Sequence, residues 1–234
     1  MIVMTQFILE HLKRDQNKAY FIGSTVVSTP MMEKLASHYN LDCKIGLTGF
    51  KWIAKMIEDY ADKAFVGGGE ESFGFMVGDF VRDKDAITSS LLACEVASTA
   101  LSNGETFFDQ LLKAYEKFGL YQEKLVSFVK KGKEGAYKIK QMMDNLRKTP
   151  PSEIDGFVIE TIEDFKTEIK LDCKSGKKEK MTLPKSDVII FTAENGTKVA
   201  ARPSGTEPKI KFYFSVHCPF NNRLEYTALR SDLM

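Results

Sequence analysis

The sequence AFVGGGEESFGF, residues 64–75, places three glycines between a short apolar segment and a run of two acids and a serine. Ala64-Phe65-Val66 predicts a short buried strand that the glycines end. Glycine lets the backbone turn sharply and lie close to a ligand. Glu70, Glu71 and Ser72 then stand at the carboxyl end of a strand, where open α/β sheets bind ligands. This pattern suits a ligand with many hydroxyl groups, and a plain surface turn is the alternative interpretation.

Helices and short strands are predicted to alternate on both sides of this segment. Thr29-Pro30 indicates the start of one helix, because a capping hydroxyl precedes a proline at the first helical position. Thr106 is predicted to cap another helix, whose apolar residues recur with the helical period. The other predicted elements are a helix at 5–13, a strand at 20–22, a helix after Gly49 and a helix at 85–101. Strands separated by helices predict an α/β fold with a mixed, mostly parallel sheet and flanking helices.

The segment Thr149-Pro150-Pro151-Ser152 is the clearest break in the sequence, because two prolines cannot continue a helix. We therefore predict a domain boundary that separates residues 1–149 from residues 150–234. In the second part, apolar and polar residues alternate, and Asn195-Gly196 favours a hairpin turn because both residues tolerate positive φ. This part is predicted to be a smaller α+β domain with an antiparallel sheet.

Composition narrows the class of protein. The chain has 234 residues, 43% of them hydrophobic, and a formal net charge of +1, which argues against long disorder and against a dedicated nucleic-acid binder. It contains no apolar run long enough to cross a membrane, and neither a signal peptide nor a membrane partner is expected. Four widely spaced cysteines are typical of a reduced, cytoplasmic protein with core thiols. The basic segment 130–148 favours a solvated helix face over a polyanion site.

A second loop, Arg202-Pro203-Ser204-Gly205-Thr206-Glu207-Pro208-Lys209, is predicted to bind an anion. Arginine offers a planar fork for phosphate, and the two hydroxyls are further donors. Gly205 leaves its amide accessible, and Lys209 adds a positive charge. A decorated β-turn is the alternative. A sugar-binding loop in one domain and a phosphate-binding loop in the other would together define a phosphosugar site between them.

These motifs carry a resemblance to a known family. Residues 68–74 followed by Arg82-Asp83-Lys84-Asp85 resemble the sugar-recognition loop of the α-D-phosphohexomutases. Residues 202–208 resemble the phosphate-binding loop of that family's last domain, and Thr48-Gly49-Phe50-Lys51 matches a loop placed at its active site. The order of the motifs is also the family's. The closest subgroup is the bacterial phosphoglucomutase/phosphomannomutase type.

The resemblance implies only the third and fourth of the family's four domains. The chain lacks the family's phosphoserine motif and its acidic magnesium loop. It is therefore expected to be a C-terminal half, inactive alone, whose partners are the hexose phosphate substrate and the missing N-terminal domains. Mg²⁺ is expected as the cofactor of the full-length enzyme, with no ligands here. The last residues, Arg223–Met234, lack a clear helical period, so the family's final helix is expected to be truncated or altered.

The resemblance also implies roles for individual residues. No catalytic residue is expected in this part of the chain. The substrate-binding residues are expected to be Glu70, Ser72 and Lys51, with Glu71 shaping the loop. The phosphate-binding residues are expected to be Arg202, Ser204, Gly205, Thr206 and Lys209. The family's reaction interconverts hexose 1-phosphate and hexose 6-phosphate through a phosphoserine and a bisphosphorylated sugar. A non-catalytic phosphosugar-binding module and a mutase for another sugar phosphate, such as a pentose phosphate, are alternative functions.

Overall fold

The computed structural model describes residues 1–130, 132–205 and 207–233, except for the side chain of Lys133. Two compact units divide the chain. The first consists of residues 1–121 together with 218–232, and the second is formed by residues 122–217. The boundary predicted at 149/150 lies inside the second unit and differs from this division.

The first unit is built on a four-stranded sheet in the order β2-β1-β3-β4. Strands β1, β2 and β3 run parallel to one another, and β4 is antiparallel to β3. The elements are α1 (Ile2–His11), β1 (Ala19–Thr25), α2 (Met31–His38), β2 (Asp42–Gly46), α3 (Phe50–Asp59), β3 (Lys63–Gly69), β4 (Phe75–Val77), α4 (Ala86–Ser102) and α5 (Phe107–Phe118). The predicted mixed, mostly parallel sheet with flanking helices is confirmed.

Helices cover both faces of this sheet because neighbouring residues of a strand point to opposite sides. Phe21 and Ile22, adjacent in β1, are both fully buried. Phe21 packs with the apolar residues of α3, whereas Ile22 packs with those of α1, α2 and α5. A strand buried on both faces has a continuous apolar run, which explains why periodicity alone marks it poorly.

The three glycines of β3 lie within the strand, so the prediction that they end it is wrong. Gly68 pairs with Gly23 of β1. A Cβ atom on Gly68 would lie 2.6 Å from the carbonyl oxygen of Gly23, too close for any side chain. Glycine is therefore required here for the close approach of two backbones, and the turn follows only at Glu70.

The second unit is built on a sheet in the order β5-β12-β11-β10-β7-β8-β9, with β6 paired to β7. Its elements are β5 (Leu120–Val129), α6 (Gly132–Lys148), β6 (Glu153–Ile154), β7 (Phe157–Asp164), β8 (Ile169–Asp172), β9 (Lys178–Lys180), β10 (Ile189–Ala193), β11 (Lys198–Pro203) and β12 (Lys209–Cys218). The pairs from β7 to β12 are antiparallel, and β10 and β11 form the hairpin predicted at Asn195-Gly196, with Gly196 at φ 80°. The predicted antiparallel sheet is confirmed.

Helix α6 packs on this second sheet, which explains why the predicted boundary differs from the observed one. Ile139 and Met143 of α6 are buried against residues of β7, β10, β11 and β12. Near the end of the helix, the Arg147 guanidinium donates to Asp164 at 3.1 Å and to Asp187 at 2.6 Å. The prolines after α6 therefore connect a helix to its own sheet rather than one unit to the other.

The C-terminal segment returns to the first unit. It contains a single 3-10 turn (Arg223–Glu225) and a short helix, α7 (Tyr226–Asp232). The Arg223 guanidinium donates to both carboxylate oxygens of Glu116 in α5, at 2.7 and 2.9 Å. Tyr226 makes aromatic contacts with Phe108 and Tyr115 of the same helix.

The four cysteines are free thiols, but only two of them are partly buried. Burial raises the pKa of the Cys43 thiol to about 12. Cys94 and Cys173 are exposed, so the prediction of core thiols is wrong for these two. Cys94 belongs to α4. Within the described residues, no helix is both long and apolar enough to cross a membrane.

Candidate functional site

Three loops of the first unit meet at one edge of its sheet. They follow the carboxyl ends of β1 at Thr25, of β2 at Gly46 and of β3 at Gly69. Because these strands are parallel, their carboxyl ends share an edge, which is the usual ligand-binding edge of such sheets. The residues predicted to bind sugar, Lys51, Glu70 and Ser72, all follow these ends.

The turn 70–74 is closed by its own hydrogen bonds. The Glu70 amide donates to the Gly74 carbonyl at 3.0 Å. The Ser72 hydroxyl donates to Oε1 of Glu70 at 2.8 Å. Gly74 is packed against Phe50, since a Cβ atom there would lie 2.7 Å from that ring. The structure thus brings Glu70 and Ser72 together as one hydrogen-bonded pair.

This pair has spare capacity for a ligand. An ionised carboxylate offers about four acceptor sites, and the Ser72 hydroxyl uses only one of those on Glu70. Among the described residues, no lysine, arginine or histidine forms an ion pair with Glu70. Ser72 is exposed, and its oxygen can accept a further hydrogen bond. Glu70 and Ser72 can therefore accept hydrogen bonds from neighbouring hydroxyl groups of a ligand.

Glu71 points to different partners from Glu70. Its Oε2 atom lies 3.3 Å from Oγ1 of Thr25 and 3.2 Å from Oγ of Ser28, and each of these hydroxyls can donate to it. Thr25 and Ser28 are buried at the end of β1 and in the loop that follows. Sequence reasoning missed both, because they lie more than 40 residues from Glu71 along the chain.

Lys51 lies in the first turn of α3. Gly49 precedes this helix at φ 108°, a conformation that favours glycine, and offers no side chain to cap it. Lys51 is exposed, and its Nζ atom lies 5.3 Å from the centroid of the Trp52 ring. A lysine on an aromatic face keeps its charge available at this edge of the sheet.

The acids that follow the turn do not fit a magnesium site. Asp83 accepts from the amide of Lys84 at 2.7 Å and forms an ion pair with its ammonium group, which lowers the pKa of Asp83. Asp85 caps α4 by accepting from the amides of Ile87 and Thr88. Across the described residues, no group of three or more His, Cys, Asp or Glu side chains could hold a metal ion.

The second predicted site lies in the second unit, at the turn between β11 and β12. Arg202 in β11 is directly opposite Lys211 in β12. Opposed residues of an antiparallel pair point to the same face, so two positive side chains lie side by side there. Like charges in this arrangement are destabilising unless an anion lies between them or nearby. Lys211 is a residue that sequence reasoning did not select.

The alternative in which Arg202 only braces the turn has no support among the described residues. Glu207 forms an ion pair with Lys209, which lowers the pKa of Glu207. Glu194 accepts from the amide of Val158. No acid of the described chain pairs with Arg202.

The remaining predicted phosphate-binding residues differ in what they can offer. The Ser204 hydroxyl accepts from the Glu207 amide at 3.2 Å, and Gly205 is exposed with open space beside its α-carbon. The ammonium group of Lys209 is already paired with Glu207. Thr206 lies outside the described residues. Arg202 is thus the predicted cation whose charge is open to an anion.

Comparison with known proteins identifies the family of the first unit. The family model "Phosphoglucomutase/phosphomannomutase, alpha/beta/alpha domain III" matches residues 1–118, which include the whole turn 70–74. The chain belongs to the phosphoglucomutase/phosphomannomutase family. The described three-layer arrangement of the first unit is the one that the name of this domain states.

Curated relatives in this family are much longer than the chain. It is 38% identical over 196 residues to a phosphoglucomutase of Staphylococcus aureus (strain MRSA252), covering 83% of the chain and 35% of the relative. It is 34% identical over 216 residues to a phosphoglucomutase of Staphylococcus haemolyticus (strain JCSC1435), covering 92% of the chain and 39% of the relative. The chain thus spans little more than a third of these relatives.

Solved structures share the fold. The pp63/parafusin phosphoglucomutase of Paramecium, in its open form, aligns with a TM-score of 0.65 at 16% identity, covering 99% of this chain and 40% of that one. A phosphoglucomutase/phosphomannomutase family protein of Burkholderia thailandensis aligns with a TM-score of 0.51 at 15% identity, covering 99% and 39%. These likenesses show the fold alone.

Proposed function

We propose that this chain supplies the sugar and phosphate recognition of a phosphohexomutase that interconverts hexose 1-phosphate and hexose 6-phosphate. In this proposal Glu70 and Ser72 accept hydrogen bonds from sugar hydroxyls, and Lys51 adds positive charge at the same edge. Arg202, with Ser204, Gly205, Thr206 and Lys209, binds the phosphate that is not being transferred. The phosphoserine that exchanges the phosphoryl group belongs to the part of the relatives that this chain does not match.

The turn 70–74 is the observation that carries this proposal. It places a carboxylate and a hydroxyl 2.8 Å apart, at the carboxyl edge of a parallel sheet and with open acceptor sites. A pair of this kind can recognise two adjacent hydroxyl groups, and a polar site rejects analogues that lack them. The family match of the same residues supports a phosphosugar over other polyhydroxylated ligands.

The phosphate-binding role is tested by titrating the chain with glucose 1-phosphate and with inorganic phosphate by calorimetry. Arg202→Ala is expected to lower the affinity for both ligands about ten- to a hundredfold, since it removes a charge-assisted bidentate contact. Arg202→Lys is expected to recover only part of this, because an ammonium lacks the planar fork. Lys198→Ala, four residues earlier in the same strand, is the matched control. Unchanged phosphate affinity in Arg202→Ala would contradict the role of this loop.

The sugar-binding role requires a different response. Glu70→Gln is expected to lower the affinity for glucose 1-phosphate about tenfold and to leave the affinity for inorganic phosphate unchanged, because the loss is confined to contacts with sugar hydroxyls. Asp59→Asn, which alters an exposed carboxylate already paired with Lys55, is the control. Equal losses for both ligands in Glu70→Gln would show that Glu70 acts on folding rather than on recognition.

We propose further that the chain alone does not catalyse turnover and that Mg²⁺ is held elsewhere in the full-length enzyme. The carboxylates of Asp83 and Asp85, which follow the turn, are committed to Lys84 and to the cap of α4, which supports this view. The assay follows conversion of glucose 1-phosphate to glucose 6-phosphate by the pure chain with Mg²⁺ and a bisphosphate activator. Steady conversion would require another nucleophile and would refute the proposal.

A non-catalytic phosphosugar-binding module uses the same two loops and differs only in lacking turnover in its native context. The preferred sugar is tested by competition between hexose, pentose and amino-sugar phosphates. A cytoplasmic location is part of the proposal, and it is supported by the four free cysteines.

A further inference from the structure

Two buried hydroxyls meet the carboxylate of Glu71 at the end of β1. Thr25 and Ser28 are 2% and 3% exposed, and their oxygens lie 2.8 Å apart. Each is also within 3.3 Å of Oε2 of Glu71. Three polar contacts therefore join one strand end, the loop after it and the turn 70–74.

The number of hydroxyl hydrogens limits how many of these three contacts are hydrogen bonds at one time. Two hydroxyl hydrogens serve three short contacts, so only two of the three are hydrogen bonds at any moment. Thr25 and Ser28 cannot both donate to each other. The carboxylate of Glu71 therefore accepts at least one hydrogen bond in every arrangement, and either hydroxyl can provide it.

The turn has few other attachments. Phe73, at its tip, is fully exposed and has a φ of 67°, a conformation that a bulky side chain rarely adopts. Such backbone strain persists only where the surroundings hold the residue in place. The contacts available for this are the Glu70–Gly74 backbone hydrogen bond, the packing of Gly74 on Phe50, and Glu71.

We infer that Glu71 is a positioning residue, which holds the turn 70–74 against the end of β1 so that Glu70 and Ser72 present one fixed arrangement of acceptors. Its effect on a sugar phosphate is indirect, and this part of the inference rests on the proposed function. Glu71 differs in this respect from Glu70, although the two are adjacent and chemically identical.

The first experiment needs no ligand. In the full chain, hydrogen exchange of the Glu70 amide reports whether the turn is closed. Glu71→Ala is expected to raise this exchange rate about five- to tenfold, as expected for the net loss of about one ordinary hydrogen bond, since the two hydroxyls still bond to each other. Glu71→Gln keeps an acceptor oxygen and is expected to restore most of the protection. An exchange rate in Glu71→Ala equal to that of the wild type would overturn the inference.

The hydroxyl variants test the proton count. Thr25→Val and Ser28→Ala are each expected to have a small effect, because the other hydroxyl still donates. The double variant is expected to match Glu71→Ala, and adding Glu71→Ala to it should change nothing more. A further loss in the triple variant would mean that Glu71 acts through other partners and would overturn the inference.

The second experiment uses calorimetry to measure the binding of glucose 1-phosphate and of inorganic phosphate to the same variants. Glu71→Ala is expected to lower the affinity for glucose 1-phosphate about five- to tenfold and to leave the affinity for inorganic phosphate unchanged. Glu71→Gln is expected to bind both ligands nearly as the wild type does. If the wild type binds no phosphosugar while the exchange results hold, the proposed function fails and the positioning of the turn by Glu71 stands. If phosphosugar binds and Glu71→Ala does not weaken it, the positioning role in recognition is refuted and the proposed function stands.

Discussion

At the scale of single residues, Phe73 combines two unfavourable features. Its ring is fully exposed, and its backbone is in the left-handed region. A non-glycine residue in that region destabilises the fold by about 1–2 kcal/mol. A glycine variant removes this strain, but it also makes the unfolded chain more flexible, which cancels part of the gain. Phe73→Gly is therefore expected to raise the stability of the first unit by about 0.5–1 kcal/mol, as measured by thermal unfolding.

Phe80 is the matched control for this prediction. It is also exposed, but it is not among the described residues that have positive φ. Phe80→Gly is expected to leave the midpoint of thermal unfolding unchanged or to lower it, because Phe80 has no left-handed backbone strain to relieve. A fall of the midpoint in Phe73→Gly would show that the ring itself stabilises the turn.

The two candidate loops could be selected from the sequence because their residue types indicate which ligands they could bind. Arg202 and its neighbouring hydroxyls, and the acids after the glycines, have few other uses at a turn. Thr25 and Ser28 could not be found in this way, since isolated hydroxyls are common and their partner is remote in sequence. Lys211 was missed because its significance depends on the register between β11 and β12.

At the scale of elements, a helix start marked by a local capping sequence was predictable. The cap predicted at Thr106 is confirmed, because Thr106 and Asp109 form a reciprocal capping box. Such caps depend on residues within one turn of each other. Strand β5 was missed because its polar residues and half-exposed position give no clear alternation. The prediction for the glycines of β3 was wrong because Gly68 is required by the close approach of Gly23, which lies on another strand.

The cap of α4 makes the stability of the first unit dependent on pH. The Thr88 hydroxyl and the Ile87 amide donate to Asp85 and lower its pKa. A carboxyl whose pKa is lower in the folded state stabilises the fold above its unfolded pKa of about 4, and this contribution is lost as the pH falls through the folded pKa. Asp85→Asn keeps a good capping side chain without the titration. The variant is expected to lose less thermal stability than the wild type between about pH 5 and pH 3.

The measurement for this prediction is the thermal midpoint at a series of pH values. Other carboxylates titrate in both proteins, so the difference between the two curves isolates Asp85. Asp62→Asn, at an exposed acid outside the helix caps, should follow the wild-type curve. Parallel curves for Asp85→Asn and the wild type would mean that the carboxylate form of the cap contributes nothing.

At the scale of the whole molecule, the C-terminal segment completes the first unit. Phe220 is only 2% exposed and contacts the rings of Tyr115 and Tyr226. Phe220→Ala is expected to destabilise the first unit by about 3 kcal/mol, the usual cost of removing a buried aromatic ring. Trp52, the one tryptophan of the sequence, lies in α3, so its fluorescence during urea unfolding reports on this unit.

Leu224→Ala provides the control, because Leu224 is 91% exposed in the same segment. Its effect is expected to stay within about 0.5 kcal/mol. An unchanged fluorescence midpoint in Phe220→Ala would show that the segment is not part of the first unit in solution. The sequence predicted an altered C-terminus but not its location, because the partners on α5 lie about a hundred residues earlier.

The return of the chain to the first unit at residue 218 has a consequence for the order of events on the ribosome. Residues 1–121 emerge before residues 122–217, yet the segment that contacts Tyr115 of α5 emerges only after all of residues 122–217. At about 5–20 residues per second, synthesis of that intervening stretch takes about 5–20 s. During this interval the nascent first unit exposes an aromatic surface that the finished chain buries. The first unit is thus most open to chaperones, and to association with neighbouring nascent chains, just before the segment that starts at residue 218 is made.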